Sequence, residues 1–234
     1  MVSGQEPSRR DDADDTRPAW RRHTDAERRW PAAVAIAGLI ALQWLLPDRL
    51  TPGPRWLLPG GQFLLVVVLL AADPGRMKKD TPTLRMVALG LIAVASLGTA
   101  WSVAMLIRDI TTGYDTGSAA QLLATGAGIY LMNVLTFAVW FWELDRGGPV
   151  ARAQGTDPYP DFLFPPMTSP DMAHKDWEPR FGDYLYVSFT NATAFSPTDT
   201  LPMTRGAKAG MALESAIALV TAALVVAKAV NALG

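Results

Sequence analysis

The chain has 234 residues, half of them apolar, with a formal net charge of −1 and no cysteine. The lack of cysteine excludes disulfides, thiolate metal sites and cysteine nucleophiles. The apolar residues form uninterrupted blocks with the charged residues between them, and blocks approaching about 20 residues are long enough to cross a bilayer as helices. We therefore predict an all-α, polytopic protein of the cell membrane in contact with the lipid bilayer, and we expect neither a cofactor nor a nucleic-acid partner.

Residues 1–29 are predicted to be a disordered, charged tail. They hold seven arginines and seven acidic residues, with Trp20 as the one aromatic side chain. Such a segment buries too little apolar surface to offset the entropy lost on ordering. Residues 21–29 are open to a second interpretation, a short helix on the membrane surface.

Residues 30–110 are predicted to contain three membrane helices, over 31–46, 57–72 and 84–107. The first two are short for a hydrocarbon core about 30 Å thick, so a re-entrant course for one of them stays open. With the helices described next, the count is about five spans.

Residues 118–234 begin with a fourth span, over 119–143, and end with an apolar helix over 206–233. Between them, residues 144–180 are rich in proline, aspartate and glycine, and a structureless loop of this length is commonly functional or disordered. Asn133 is polar within the fourth span, as is Thr136, and hydrogen bonding between helices is favoured over lining a pathway.

A short apolar segment and a polar stretch precede the last helix. Residues 183–194 are too few to cross a bilayer, and the two prolines of residues 195–202 disfavour a continued helix. A short helix followed by an extended polar strand is typical of a re-entrant loop, which membranes tolerate only where protein or a water-filled cavity surrounds it.

From residue 177 onward the chain resembles the two-helix pore module of potassium channels. The family pattern is roughly Tyr-Phe-Ser-Phe-x-Thr-x-Thr-Thr-Val-Gly-Tyr-Gly-Asp-x-x-Pro, followed by a cationic residue and then Leu-Glu, and the chain aligns with it without a gap. With its altered filter, the pattern also resembles an uncharacterised family of bacterial membrane proteins. The matching residues are Tyr186, Ser188, Phe189, Thr193, Asp199, Pro202, Lys208, Leu213 and Glu214.

The chain departs from the family at the filter itself, where Phe-Ser-Pro-Thr replaces Val-Gly-Tyr-Gly. A potassium filter aims backbone carbonyls at the ion, and that geometry relies on the conformational freedom of glycine, which Pro197 lacks. The resemblance implies a homotetramer, and the altered filter leaves weakly selective conduction of monovalent cations, with Asp199 forming an acidic ring, or no conduction. The pore and filter-like residues are Thr193, Ala194, Phe195, Ser196, Pro197, Thr198 and Asp199.

Two simpler interpretations stay open for these residues. The stretch around Asp199 is also typical of an ordinary turn in which Asp199 or Thr200 caps the last helix. Glu214 is a functional candidate because an ionisable group in a span is costly, although the resemblance implies that it pairs with the pore helix through Ser188, Asn191 or Thr193. Helical spacing places a cavity-lining or, by preference, a close-packing face on Gly210, Glu214, Ile217 or Ala218, and Thr221.

The orientation of the pore module is in conflict with the loop charges. The tail and the loop between the second and third spans hold eleven cationic residues, whereas the first-to-second and third-to-fourth loops hold three. This difference favours a cytoplasmic N-terminus. Five spans would then invert the pore loop relative to potassium channels. The alternative function is a non-conducting scaffold or sensor that binds a partner through the tail or the long loop. An enzyme is disfavoured because the spans lack histidine, cysteine and paired carboxylates.

Overall fold

The computed structural model describes residues 17–25, 27–72, 82–113, 117–193 and 199–231. Single 3-10 turns lie at Ala19–Arg21, Asp48–Leu50, Asp145–Gly147 and Pro170–Met172. The helices and strands are α1 (Trp30–Leu45), α2 (Leu57–Ala72), α3 (Pro82–Thr111), α4 (Ala119–Leu144), α5 (Pro149–Gln154), β1 (Phe162–Leu163), α6 (Pro165–Thr168), α7 (Phe181–Thr193), β2 (Leu201–Pro202) and α8 (Arg205–Asn231).

The structure confirms an all-α membrane protein. Three helices, α3, α4 and α8, are long and apolar enough to cross a membrane, and α1 and α2 are shorter apolar helices. The bounds of α1 to α4 lie close to the predicted spans, since each helix follows one uninterrupted apolar block of the sequence. Helix α4 begins at a capping box in which Ser118 Oγ accepts a hydrogen bond from the Gln121 backbone N–H, and the Gln121 side chain accepts one from the Ser118 backbone.

Helices α1 and α4 run in opposite directions. Ala32, near the start of α1, shares a small cavity with Trp142 near the end of α4, whereas Leu46, just past α1, lies beside Gly128. Helices α2 and α3 are also antiparallel, because Leu58 lies beside Gly98 while Leu69 shares a cavity with Leu91.

Helix α4 packs antiparallel to both α3 and α8. Trp140 Nε1 donates to Ser96 Oγ at 2.7 Å, and Thr136 faces Thr99 farther along. Against α8, Phe141 lies beside Gly210 and Gly126 lies beside Val225. One end of the bundle, which we call the loop end, therefore holds residues 17–25, 27–29, 145–181 and 199–204. Residues 46–56, 112–113 and 117–118 lie at the opposite end.

The described part of the predicted tail, residues 17–25 and 27–29, differs from the expected disorder. The Trp20 side chain is buried, and its carbonyl accepts a hydrogen bond from Arg146 Nη1 at 2.6 Å. The Thr24 backbone N–H donates to the Ala153 carbonyl at 2.8 Å, and Arg22 pairs with Asp176 at 2.7 Å. One aromatic side chain and partners distant in sequence thus order this segment, and its helical part is the single turn Ala19–Arg21.

Residues 144–180 also fold, which corrects the prediction of a structureless loop. Phe162 and Phe164 are buried, and both rings pack edge-to-face against Tyr184 of α7. Strand β1 pairs with β2 in antiparallel register, Phe162 opposite Pro202 and Leu163 opposite Leu201. Apolar side chains scattered between the prolines supply the burial, so the segment forms a cap over the loop end.

Close packing of α4 on α8 depends on Gly126. A Cβ at Gly126 would lie 2.7 Å from both Val225 methyl carbons and 3.2 Å from Val225 Cβ, whereas a Cβ at Gly128 would lie 4.0 Å from its nearest neighbour. We expect Gly126→Ala to cost about 1–3 kcal/mol of stability through overpacking, and Gly128→Ala to be neutral. Thermal unfolding in detergent measures the difference. Adding Val225→Ala should rescue Gly126→Ala, and equal effects of the two alanines would contradict the packing.

Candidate functional site

Helix α7 is a short helix held between α4 and α8. Its 13 residues extend about 20 Å, less than a bilayer core of about 30 Å. Near its start the Tyr184 hydroxyl donates to Asp145, just past the end of α4. One turn later Ser188 Oγ lies 2.7 Å from the Val134 carbonyl. Helix α7 thus runs from the loop end towards the middle of α4.

The chain then returns to the loop end. Strand β2 pairs with β1, and the Met203 backbone N–H donates to the Asp161 carbonyl at 2.7 Å. The Thr204 hydroxyl donates to the Asp161 carboxylate, also at 2.7 Å. The segment 181–202 therefore begins and ends at the same end of the bundle, and α8 starts there.

The core of the filter-like stretch, residues 194–198, lies outside the described residues, so nothing is said of the placement of Ala194, Phe195, Ser196, Pro197 and Thr198. The residues on either side, Thr193 and Asp199, are exposed. The Thr193 hydroxyl donates within its own helix, to the Phe189 carbonyl at 2.9 Å.

The cap of α8 differs from the sequence-based expectation. Thr204 Oγ1 accepts a hydrogen bond from the Ala207 backbone N–H at 3.2 Å, which makes Thr204 the capping residue in place of Asp199 or Thr200. Because Asp161 accepts the proton of the same hydroxyl, the cap also ties the start of α8 to the residue before β1. That partner is distant in sequence, so local pattern alone could not identify it.

Glu214 lies at the junction of α4, α7 and α8 and has no exposed surface. Its two carboxylate oxygens accept hydrogen bonds from Ser188 Oγ and, at 2.7 Å, from Asn191 Nδ2. Its backbone carbonyl accepts one from Asn133 Nδ2 at 3.1 Å. The expected pairing with the short helix thus forms through Ser188 and Asn191 of α7, whereas the Thr193 hydroxyl bonds within α7.

Further hydrogen bonds join α7 to α8 beside this carboxylate. Asn191 Nδ2 also lies 2.9 Å from the Met211 carbonyl, and Ser215 Oγ donates to the Asn191 carbonyl at 3.1 Å. These bonds satisfy polar groups in the last turns of α7, where the helix ends inside the bundle.

The polar face of α8 is a packing face. Glu214, Ala218 and Thr221 are all buried, and a Cβ at Gly210 would lie 3.1 Å from the Phe141 ring. The face packs closely at these positions, although Gly210 and Ile217 also line a cavity between α3, α4 and α8. Asn133 bonds between helices. Thr221 Oγ1 is buried and has no hydrogen-bond partner among the described residues.

A second buried polar cluster, at the loop end, escaped the sequence analysis. The Asp145 carboxylate accepts hydrogen bonds from the Tyr184 hydroxyl and the Asp161 backbone N–H. The guanidinium of Arg152 donates to the Asp145 carbonyl at 2.9 Å and lies over the Tyr184 ring at 4.9 Å. Next to Asp145, Arg146 has a left-handed backbone with φ of 49°. The sequence signal that could have revealed this cluster is a group of two acids and two arginines that follows the aromatic residues at the end of the fourth span.

Glu27, from the N-terminal segment, reaches the start of α7. Its carboxylate accepts hydrogen bonds from the Phe181 backbone N–H at 3.1 Å and from Trp142 Nε1 at 2.9 Å. Burial raises the pKa of Glu27, and the hydrogen bonds from Trp142 and Phe181 oppose that rise. The segment is therefore bonded directly to the first turn of the short helix.

Across the ranges that the structure describes, no group of three or more histidine, cysteine or acidic side chains is placed to hold a metal ion. Comparison of the chain with protein-family models, curated proteins and solved structures finds no match.

The hydrogen bonds of Glu214 generate a stability prediction. Replacement by leucine removes two hydrogen bonds to a buried carboxylate, at a cost of about 1–3 kcal/mol, and leaves Ser188 and Asn191 with backbone carbonyl acceptors alone. Glutamine keeps one acceptor oxygen and should cost less. The matched control is Thr193→Val, because Thr193 is exposed and its hydroxyl bonds within α7 in the part of the chain that the structure describes.

Hydrogen exchange of the α7 amides, referred to those of α3, measures the loss. We expect Glu214→Leu to raise exchange in α7 selectively, with Glu214→Gln intermediate. Equal exchange in Glu214→Leu and Thr193→Val would contradict the assigned role.

Proposed function

We propose that the protein is a channel-like component of the cell membrane that conducts monovalent cations with weak selectivity as a homotetramer. In this proposal α1, α2, α3, α4 and α8 are five spans, and residues 181–202 are a re-entrant pore loop. The observation that carries it is the course of this segment, a helix too short to cross a bilayer whose two flanks lie at the same end of the bundle.

In this proposal the two acidic residues Glu214 and Asp199 have different roles, one structural and one facing the ion path. Glu214 is fully buried and both of its oxygens accept hydrogen bonds, so we assign it a structural role within the bundle. Asp199 is exposed beside residues 194–198. Four copies of Asp199 around an axis would form an acidic ring, which favours cations without distinguishing them sharply.

A second candidate, a non-conducting scaffold or sensor, is supported by the N-terminal segment. Residues 17–25 and 27–29 contact the loop-end cap through Arg22 and Thr24 and contact α7 through Glu27. A partner that binds the tail would therefore act directly on the start of the short helix. Absence of ion flux from the intact protein would favour this candidate.

Ion flux in liposomes tests the proposal. The intact protein should pass potassium and sodium at similar rates. Asp199→Asn should lower cation flux by about threefold at low ionic strength, because the acidic ring no longer concentrates cations, with a smaller effect at high salt. The control is Asp171→Asn, another exposed acid of the loop end. Flux that is absent in every gradient, or equal loss in both variants, would contradict conduction through this loop.

The orientation follows from the two ends of the bundle. The loop end holds the arginine-rich segment and the start of α3, whereas the opposite end holds the loops with three cationic residues. We propose that the loop end is cytoplasmic, which inverts the re-entrant loop relative to potassium channels.

Cysteine labelling tests the orientation against a background without cysteine. Single cysteines at Ser169, exposed at the loop end, and at Thr112, exposed at the opposite end, are treated with an impermeant maleimide on intact cells. We expect labelling of Thr112→Cys and protection of Ser169→Cys until the cells are opened. The reverse pattern would reject a cytoplasmic loop end.

A further inference from the structure

The N-terminal segment, residues 17–25 and 27–29, lies against the loop end, and we call it the strap. Its one aromatic side chain, Trp20, is buried. The Thr24 backbone N–H donates to the Ala153 carbonyl at 2.8 Å. A segment that buries so little apolar surface opens at a lower free energy than the helical core does. Its docking is therefore the contact of the loop end that a small change in free energy shifts most easily.

Glu27 joins the strap to two helices through one carboxylate oxygen. Its Oε2 accepts hydrogen bonds from Trp142 Nε1 of α4 at 2.9 Å and from the Phe181 backbone N–H of α7 at 3.1 Å. Its Oε1 lies 3.1 Å from the same Phe181 nitrogen. A protonated carboxyl group keeps acceptor capacity on its other oxygen. Because both donors reach Oε2, a proton on Oε1 leaves both hydrogen bonds in place.

Burial of Glu27 in the docked strap favours the neutral carboxyl group. It raises the pKa of Glu27, against the hydrogen bonds from Trp142 and Phe181 and the charges of Arg152 and Arg180. A pKa that is higher in the docked strap than in the released strap means that docking takes up protons. Docking is then strongest below the ordinary pKa of a glutamate, and it weakens as the pH rises through the raised value.

Other titratable groups near the strap are alternative sources of a pH response. His23 is exposed on the strap, and His174 lies 4.0 Å from Asp176, which pairs with Arg22. The charged groups on the elements packed around Glu27 are Asp25 on the strap, Glu143 on α4, Asp145 and Arg146 in the following turn, Arg152 on α5, Glu178 and Arg180 before α7, and Asp183 on α7.

We propose that the N-terminal segment is a proton-sensitive strap, which binds the start of α7 more tightly in acid and loosens as the pH rises, with Glu27 as the responsive group. The single-oxygen geometry is what allows this, because the neutral side chain keeps the bonds to both helices and carries no buried charge. The docking equilibrium does not involve ion conduction, so its test measures no flux and is independent of the proposed function.

Hydrogen exchange of the Thr24 backbone amide measures docking in the full chain in detergent, because that N–H is bonded to Ala153 in the docked strap. Division of the intrinsic rate at each pH by the measured rate gives a protection factor, which follows the opening equilibrium. We expect the protection factor of Thr24 to rise about threefold or more between pH 8 and pH 5, while those of the α3 amides stay constant.

Two substitutions of Glu27 remove the titrating group. Glutamine is neutral and keeps one oxygen for Trp142 and Phe181, so Glu27→Gln should hold the acidic protection factor at every pH. Alanine removes both hydrogen bonds, so Glu27→Ala should give a low protection factor that does not vary with pH. The α3 amides report whether each variant is folded.

The control variants replace the neighbouring titratable groups one at a time. Each should keep the pH dependence of the intact chain, even where it changes the protection factor itself. They are His23→Gln, Asp25→Asn, His174→Gln, Glu178→Gln and Asp183→Asn.

Three results would overturn the proposal. A Thr24 amide without protection at every pH would show that the strap is not docked. A protection factor that stays constant with pH, or falls in acid, would show that docking takes up no proton. A pH dependence that persists in Glu27→Gln and Glu27→Ala would assign the response to another group, which the control variants identify.

Discussion

The inner part of the bundle depends on the hydrogen bonds made by Glu214, whose carboxylate is buried. An ionisable group inside a membrane-spanning helix is tolerated only when it is paired, hydrogen-bonded or wetted. Here the side chain accepts hydrogen bonds from Ser188 and Asn191 of α7, and its carbonyl accepts one from Asn133 of α4. One residue thus joins three helices at the level where α7 ends. In the re-entrant course that we propose, the backbone leaves a helix inside the membrane, where it needs such protein surroundings.

The start of α7 is fixed by a different set of contacts at the loop end. Tyr184 bonds to Asp145, and Glu27 bonds to the Phe181 backbone. The return strand is held by Phe162 and Asp161. Helix α7 is therefore held at both ends. Glu214 binds its last turns inside the bundle, and the loop-end cap and the N-terminal segment bind its start.

The long helices were predictable because their signal is local. Uninterrupted apolar blocks bounded by charges or prolines determine α3, α4 and α8, and the structure confirms them as candidate spans. The pairing of Glu214 with Ser188 and Asn191 was expected because the position of Glu214 suggested three partners on the preceding short helix, and two of the three make the bond. The loop-end cap was not predictable in this way, since Phe162 and Phe164 have no periodicity between the prolines. Their burial depends on Tyr184, which comes later in the chain. Thr204 was not predicted as the cap of α8 for the same reason, because its hydroxyl is oriented by Asp161, which is distant in sequence.

The re-entrant course that we propose for α7 is tested most directly by the distances between paired spin labels. A label at Thr193→Cys is paired in turn with one at Ser169→Cys and one at Thr112→Cys, in samples diluted with unlabelled protein. If α7 ends inside the bundle, both distances are intermediate, and residue 193 lies between the two ends. A short distance from residue 193 to residue 112 with a long one to residue 169 would show that the segment crosses the bundle and would contradict a pore loop.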